Sequence, residues 1–304
     1  MKKSRFRRFK KSNTYKFLTF GWLTIIGYLL FYLYPIVKTF ILSLTNSKTG
    51  TPNTAFVGFS NYATILTTDP YFFKSLGNSF ILAFGSGALA LFLGLVTALL
   101  LNSKVKGVGV FRVIYFLPFV IPSFACASIF KGLFDPNVGI INTFLRDIGV
   151  TNVPGWFQDE NLALFSMIIM SVWGFGMQML IFLAALQNVP RELYEAARVD
   201  GCNAWHRFWH ITMPAIAPML YLNIMLTTIN GMKTFSTGYL IGGLYGTPNS
   251  STLTIAVLIY RTAFTNIGGY RIGYASAMAW IFSVIIMVVT IIETILSKFY
   301  VKEK

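Results

Sequence analysis

The sequence carries little charge for its length. Only 12% of its 304 residues are charged, whereas soluble domains average roughly 25%. Hydrophobic residues make up 55% of the chain, and the core of one soluble domain cannot bury such an excess. The composition therefore excludes an ordinary soluble protein and indicates a chain that spans a membrane.

Cysteine is scarce too, because only Cys126 and Cys202 are present. Two cysteines, one in an apolar run and the other in a basic segment, do not form a disulfide framework. The phosphate-binding pattern G-x-x-x-x-G-K-[ST] does not occur anywhere in the sequence. We therefore do not expect the chain itself to hydrolyse ATP.

Long uncharged runs, by contrast, are abundant. A charge at the centre of a bilayer is costly, so runs between charged residues mark candidate spans. Six of them reach the roughly 17 to 25 residues that a helix needs to cross the hydrocarbon. They cover residues 17–37, 75–103, 113–130, 161–190, 208–232 and 272–292.

A seventh uncharged run, 234–260, is interrupted by glycines and Pro248. We interpret its first part as the end of the fifth span and the remainder as an external loop with a short helix. The predicted fold class is therefore an all-α membrane protein with six transmembrane helices.

The positive charge is unevenly distributed along the chain. Basic residues cluster before the first run, after the second, between the fourth and fifth, and after the sixth. The formal charge of +15 could suggest a nucleic-acid partner, but this placement is what the positive-inside rule predicts for cytoplasmic segments. We therefore expect membrane lipid and no nucleic acid as a partner, with both termini in the cytoplasm.

One membrane domain is expected to fill most of the chain. We divide the sequence into a basic cytoplasmic N-terminal segment (1–16), a six-helix transmembrane domain (17–300) and a cytoplasmic tail (301–304). Two prolines in the third run predict a kink unless neighbouring helices compensate. Small residues at four-residue spacing in the second run would let another helix approach closely. These are Ala83 with Gly87, and Ala90 with Gly94 and Ala98.

The cytoplasmic loop 190–214 joins the fourth and fifth runs. Pro190 suits the first position of a helix, and Gly201 suits the left-handed residue that ends one. Asn203 can then cap a second helix, which Pro214 would stop. The loop therefore predicts two short helices around a glycine elbow, suited either to a groove of another protein or to the membrane surface.

Residue types in this loop also follow a recognisable spacing, which is formed by Glu195-Ala196-Ala197, Gly201, Ile211 and Met213-Pro214. This pattern resembles the EAA motif of permease subunits in binding-protein-dependent ABC importers, where the usual ending is Leu-Pro. The segments 134–142 and 270–277, together with Trp173, resemble the sugar-importer branch of that family, particularly its maltose-type and glycerol-phosphate-type members.

The resemblance implies the type I permease fold of ABC importers, in the plasma membrane of a prokaryote. It implies a second permease subunit, two cytoplasmic ATPase subunits that use ATP and Mg²⁺, and an extracytoplasmic sugar-binding protein. This chain would form half of the pathway for a di- or oligosaccharide and would hold no cofactor and no catalytic residue. The residues implied to couple it to the ATPase are Glu195, Ala196, Ala197, Asp200, Gly201, Ile211 and Pro214.

Polar or amphipathic side chains inside the fourth and fifth runs are candidates for the sugar pathway, because a sugar needs hydrogen bonds and a stacking face. Aromatic residues at helix ends are also typical interface anchors, and a lysine there can extend outward to water. The candidates are Trp173, Gln178, Asn223, Asn230 and Lys233.

Other readings have less support from the sequence. Cys202, His206 and His210 could place three metal ligands on one helix face, but the predicted elbow interrupts the helix there, so we expect no metal site. An ion-coupled secondary transporter would need buried carboxylates, and the spans offer only Glu293, which we expect to reach water. A receptor or scaffold would leave the EAA-like loop unexplained.

Overall fold

A computed structural model describes residues 13–51, 54–103 and 106–301. Segments 1–12 and 302–304 and Lys104, all predicted to be cytoplasmic, lie outside these residues. All regular secondary structure in the described part is helical, apart from a single β-bridge between Thr45 and Phe56. The α-helices are α1 (Asn13–Tyr28), α2 (Tyr34–Ser43), α3 (Ser60–Thr67), α4 (Phe72–Leu101), α5 (Val108–Val120), α6 (Ser123–Leu133), α7 (Ile140–Asp147), α8 (Ala163–Val172), α9 (Gly176–Gln187), α10 (Arg191–Val199), α11 (Ala204–Arg207), α12 (Met213–Met232), α13 (Ser236–Gly242), α14 (Ile255–Phe264) and α15 (Ile272–Val301).

Four helical stretches in the described residues are long and apolar enough to cross a membrane, and they coincide with the first, second, fifth and sixth runs. The bent pairs α5–α6 and α8–α9 coincide with the third and fourth runs, which gives six spans if each pair counts as one. The prediction of an all-α membrane protein is confirmed. The short helix expected in the loop after the fifth run is α14. The four stretches are Gly21–Ser43, Phe72–Leu101, Ala204–Tyr245 and Ile272–Lys298.

The third span contains a sharp elbow. α5 and α6 meet at 95°, with Pro118 inside α5 and Pro122 directly before α6. Ile121 between them is extended, as expected for a residue that precedes proline. The predicted kink is therefore confirmed. The bend of 44° between α8 and α9 was not predicted, because no proline lies at that break.

Two helices contain a single π-helical turn, at Leu29–Leu33 and at Phe208–Thr212. In each turn a backbone N–H reaches five residues back, from Tyr34 to the Leu29 carbonyl and from Met213 to the Phe208 carbonyl. Each turn ends two residues before a proline, which occupies the second position of the next helix. The expectation that Pro214 stops the second loop helix is therefore wrong. The wide turn leaves Pro214 at the start of α12, where its missing N–H is tolerated.

The chain forms two compact units, 13–67 with 262–281 and 68–261 with 282–301. In the second unit α4 packs closely on α9 and α12. A Cβ added at Gly94 would lie 2.9 Å from the Gln178 Cβ, and one added at Gly231 would lie 3.0 Å from the Ala83 Cα. The close approach predicted from the small residues of the second run is confirmed.

In the first unit, Gly273 lies directly on the loop that follows α2. Its backbone N–H donates to the Ser47 carbonyl at 3.0 Å, and an added Cβ would collide with the Thr45 carbonyl. The Asn61 side-chain amide donates to the carbonyls of Ser43 and Thr45 at 2.8 and 2.9 Å. The glycine in the segment 270–277 is therefore required by close backbone packing.

Candidate functional site

The loop 190–214 has the predicted elbow. α10 begins after Pro190 and ends at Val199, and Gly201 follows with a φ of 75°. A Cβ on Gly201 would meet no neighbouring atom. Glycine is therefore favoured here by the positive φ and not by close packing. The Asn203 Oδ1 accepts the His206 N–H at 2.8 Å and caps α11 as predicted.

The elbow is fixed to the membrane domain on its inner side. A hydrogen bond of 2.9 Å joins the Tyr194 hydroxyl to the hydroxyl of the buried Thr212. Ala197 is buried, and Ile211 packs against the apolar cluster around Ala98, Leu183 and Ile216. Two of the seven residues assigned to ATPase coupling, Ala197 and Ile211, therefore hold the loop in place from inside.

The outer side of the elbow is exposed. Glu195, Ala196 and Asp200 lie on this side, together with two apolar side chains that are unusually open. Val199 is 89% exposed and Trp205 is 69% exposed. The sequence analysis missed Val199, although a valine beside a helix-ending glycine on a charged loop is a detectable signal. The outer side thus combines acidic side chains with exposed apolar surface, as a docking surface does.

A cavity of about 730 Å³ lies between α4, the α5–α6 elbow, α8, α9 and α12. Its wall is mixed, with aliphatic side chains beside hydroxyls and amides. Gln178, Asn223 and Asn230 line it, so the structure brings together three of the five predicted pathway residues. The polar side chains that the sequence analysis missed are hydroxyls, which give only a weak signal inside a membrane span: Ser86, Ser123, Ser171, Thr227, Thr234 and Thr237.

Two hydrogen bonds join Gln178 to α12. The Gln178 Nε2 donates to the Thr227 Oγ1 at 3.4 Å, and the Asn223 Nδ2 donates to the Gln178 backbone carbonyl at 3.2 Å. The Gln178 Oε1 is buried and has no hydrogen-bond partner among the described residues. An unpaired acceptor is costly in apolar surroundings.

Trp173 and Lys233 do not line this cavity. Trp173 lies at the break between α8 and α9, where its ring packs edge-on against Phe130 with centroids 5.4 Å apart. Lys233 directly follows α12 and is exposed. Their part in a pathway stays a prediction.

Glu293 does not simply reach water as expected. Its Oε1 accepts a hydrogen bond of 2.7 Å from Thr228 of α12, and its Oε2 is buried with no partner among the described residues. In one turn of α12, Thr227 therefore lines the cavity while the adjacent Thr228 contacts the last span. The carboxylate holds α15 against a cavity wall.

The structure of the loop does not support a metal site at Cys202, His206 and His210. His206 and His210 stack with ring centroids 3.8 Å apart, and the His210 Nδ1 lies 3.0 Å from the His206 carbonyl. No group of three potential metal ligands gathers anywhere in the part of the chain that the structure describes.

The bundle of spans, the polar cavity and the structured loop together define a membrane permease component. Residues 90–302 match the family described as the inner membrane component of binding-protein-dependent transport systems. The probable ABC transporter permease YesP of Bacillus subtilis is 35% identical over 302 residues, which cover 99% of this chain and 95% of that protein. The trehalose/maltose transport system permease MalF of Thermococcus litoralis is 33% identical over 91% of each chain.

A solved bacterial alginate ABC transporter, in complex with an alginate pentasaccharide-bound periplasmic protein, contains a chain of the same fold. The TM-score is 0.82 over 97% of this chain and 99% of that one, at 22% identity. The present chain belongs to the family of binding-protein-dependent transport system inner membrane components, the permeases of ABC transporters. It is a multi-pass inner membrane protein and is not itself the catalytic subunit.

Proposed function

We propose that this chain is the permease subunit of an ATP-driven importer for a di- or oligosaccharide. It forms half of the translocation pathway and couples to the ATPase through the loop 190–214. The observation that carries the proposal is the shared helix: α12 continues from the loop through the π-helical turn and supplies Asn223, Thr227 and Asn230 to the cavity. A displacement of the loop therefore reaches the cavity wall through one continuous element.

The chemistry of the cavity supports a sugar as the substrate. Amides and hydroxyls both donate and accept hydrogen bonds, as the hydroxyl groups of a sugar require. The buried Gln178 Oε1 is an acceptor with no partner among the described residues. Relatives point the same way, since one is named for trehalose and maltose and a protein of the same fold was solved with an alginate-bound partner.

The proposed assembly contains a second permease subunit, two cytoplasmic ATPase subunits and an extracytoplasmic sugar-binding protein. ATP and Mg²⁺ are used by the ATPase subunits, because this sequence has no phosphate-binding loop. The family membership favours this ATP-driven mechanism over the ion-coupled alternative.

The substrate proposal is tested by sugar uptake into cells that express the whole transporter. Asn230→Ala and Gln178→Ala remove hydrogen-bonding groups from the cavity wall and should raise the KM for uptake about tenfold, equivalent to roughly 1.4 kcal/mol per lost bond. Asn188→Ala is the matched control. Asn188 is exposed outside the cavity, and among the described residues its amide bonds only the Ala184 carbonyl, one turn earlier, at 3.1 Å. Unchanged KM values in both cavity variants would locate the substrate elsewhere.

The coupling proposal is tested by charge reversal and by distortion of the elbow. Glu195→Lys should leave the protein in the membrane but abolish uptake and co-purification of the ATPase, because breaking an interfacial charge pair costs roughly 2–5 kcal/mol. Gly201→Asp should weaken both, because the positive φ of Gly201 strains any residue that has a Cβ. Glu192→Lys makes the same reversal one turn earlier in α10 and should have a smaller effect. An ATPase that stays bound to transporting Glu195→Lys and Gly201→Asp variants would exclude the loop as the coupling element.

A further inference from the structure

The short helix α7 shows three sectors around its axis. The first sector packs on the protein. Ile141 lies against the apolar cluster of α6 and α8, and Asn142 is fully buried. The Asn142 Oδ1 accepts the Trp156 indole N–H at 2.8 Å, and its Nδ2 donates to the Pro154 carbonyl at 3.0 Å. These bonds fix the rotation of α7 about its own axis.

The second sector is apolar and open. Ile140 and Phe144 occupy consecutive turns of one side, with Val138 just before the helix and Ile148 just after it. Their exposed fractions are 70%, 62%, 80% and 61% in that order. Soluble surfaces expose single apolar residues, but Ile140, Phe144 and Ile148 recur every four residues and form a stripe that needs a cover.

The third sector is polar and also exposed. It contains Thr143, Arg146 and Asp147. The Arg146 guanidinium donates to the carbonyls of Asn137 and Pro136 and so closes the turn that starts the helix. Asp135 closes the same turn, since the backbone N–H groups of Val138 and Asn137 bind its carboxylate and hold its pKa below the usual range. The exposed half of α7 is thus divided into an apolar strip and a polar strip.

This division fits a membrane surface as the cover of the apolar strip. A membrane surface presents apolar chains and water side by side, so a short helix with an apolar strip beside a charged strip can lie along it. The chain reaches α7 six residues after α6, the second half of a membrane-crossing pair, and α6 itself exposes Phe124 and Ile129. Six residues reach at most about 20 Å, so α7 lies near the end of that membrane-crossing pair.

We propose that α7 is an interfacial helix, whose Ile140, Phe144 and Ile148 insert between phospholipid headgroups. This inference goes beyond the proposed import of sugar and holds whichever substrate the transporter carries. Its consequence concerns the cavity. Phe134 at the end of α6 stacks on Trp156 with centroids 4.7 Å apart, and α6 supplies Ser123 and Cys126 to the cavity wall. An anchored α7 holds this wall at a fixed depth.

The test places the photoreactive residue p-benzoylphenylalanine at single positions of the whole transporter, purified into nanodiscs of phosphatidylethanolamine and phosphatidylglycerol. After illumination, mass spectrometry should find lipid adducts several-fold more abundant at positions 140 and 144 than at position 143, the matched control on the polar strip. Crosslinks from 140 and 144 to another protein subunit would overturn the proposal. So would equally low lipid adducts at all three positions.

A second measurement does not need the photoreactive residue. Phe144→Asp should lower the thermal unfolding midpoint of the nanodisc-embedded transporter, whereas Thr143→Asp should leave it nearly unchanged. Equal shifts for the two variants would contradict insertion of the apolar strip. Neither measurement depends on sugar uptake. A negative result would therefore contradict the membrane contact of α7 without contradicting the proposed function.

Discussion

Gly201 matters at the scale of a single residue because its backbone has a φ of 75° in open space. A substitution there meets no neighbouring atom, so only the backbone strain of roughly 1–2 kcal/mol is added for an ordinary side chain. We expect uptake to fall in the order Gly, Asn, Ala, Val at this position, since Asn tolerates the left-handed region best. Uptake and ATPase co-purification measure this order.

Gly107 supplies the control for that series. It has a φ of 82°, also in open space, and it precedes α5 in the segment between the second and third spans. Gly107→Ala adds the same kind of strain without touching the elbow, so the ATPase should still co-purify. Equal loss of the ATPase from Gly107→Ala and Gly201→Ala would mean that general destabilisation, not the elbow, is responsible.

Thr228 and Glu293 give a second prediction at this scale. Thr228→Val removes the only hydrogen bond of 2.7 Å that the described residues make to the Glu293 carboxylate, so the free energy of unfolding should fall by roughly 1–3 kcal/mol. Thr228→Ser keeps the hydroxyl and should be nearly neutral in thermal unfolding in detergent. Thr290→Val is the control, because within the described part of the chain that hydroxyl bonds only the Ile286 carbonyl of its own helix. Unchanged stability of the Thr228→Val variant would show that the hydrogen bond between Thr228 and Glu293 does not hold α15 against α12.

Individual site residues were predictable where residue type alone fixes geometry. Gly201 and Asn203 have the conformations that their positions in the loop predicted. The amides of Gln178, Asn223 and Asn230 converge as expected, because polar groups inside spans turn toward other polar groups. The hydroxyls beside them could not be singled out. Ser and Thr often bond a carbonyl of their own helix, so their presence in a span does not require a polar neighbour.

At the scale of elements, the sequence predicted one of the two breaks between paired helices but not the other. The elbow between α5 and α6 follows from two prolines, whereas the bend between α8 and α9 depends on how tightly α9 packs on α5. An added Cβ on Gly176 would lie 2.7 Å from the Tyr115 carbonyl oxygen and 2.8 Å from the Phe116 Cα. Such contacts come from tertiary packing and leave no local pattern.

Gly176→Ala should therefore destabilise the protein. The methyl group meets backbone atoms that cannot move aside easily, so we expect a loss of roughly 1–3 kcal/mol in the free energy of unfolding. Gly174→Ala is the matched control two residues earlier, where the nearest atoms would be 3.9 Å and 4.0 Å away. Thermal unfolding of both variants in detergent measures the difference, and equal stability of the two would show that α9 does not press on α5 as described.

At the scale of the whole molecule, the number and location of the spans were predictable because charge and apolar length act over the entire chain. Orientation is the part that remains a prediction. We expect Lys106 and His206 on the cytoplasmic side, and Asn152 and Asn249 outside, because the basic segments lie with the first pair. All four side chains are exposed.

Cysteines placed singly at these four positions test the orientation. A membrane-impermeant thiol reagent applied to intact cells should label positions 152 and 249 but not 106 and 206. Permeabilised cells provide the control, since all four positions should then react. Labelling of position 206 in intact cells would reverse the orientation and remove the loop from the ATPase side.

The π-helical turn at Phe208–Thr212 sets the phase between the two working parts of the protein. A turn of this kind accommodates one extra residue, which rotates everything after it by about 100° relative to a regular helix. The elbow and the cavity could each stay intact in a chain one residue shorter, yet the amides of α12 would face a different neighbour. The one extra residue of this turn therefore sets the rotation of the α12 side chains about the helix axis relative to the loop 190–214.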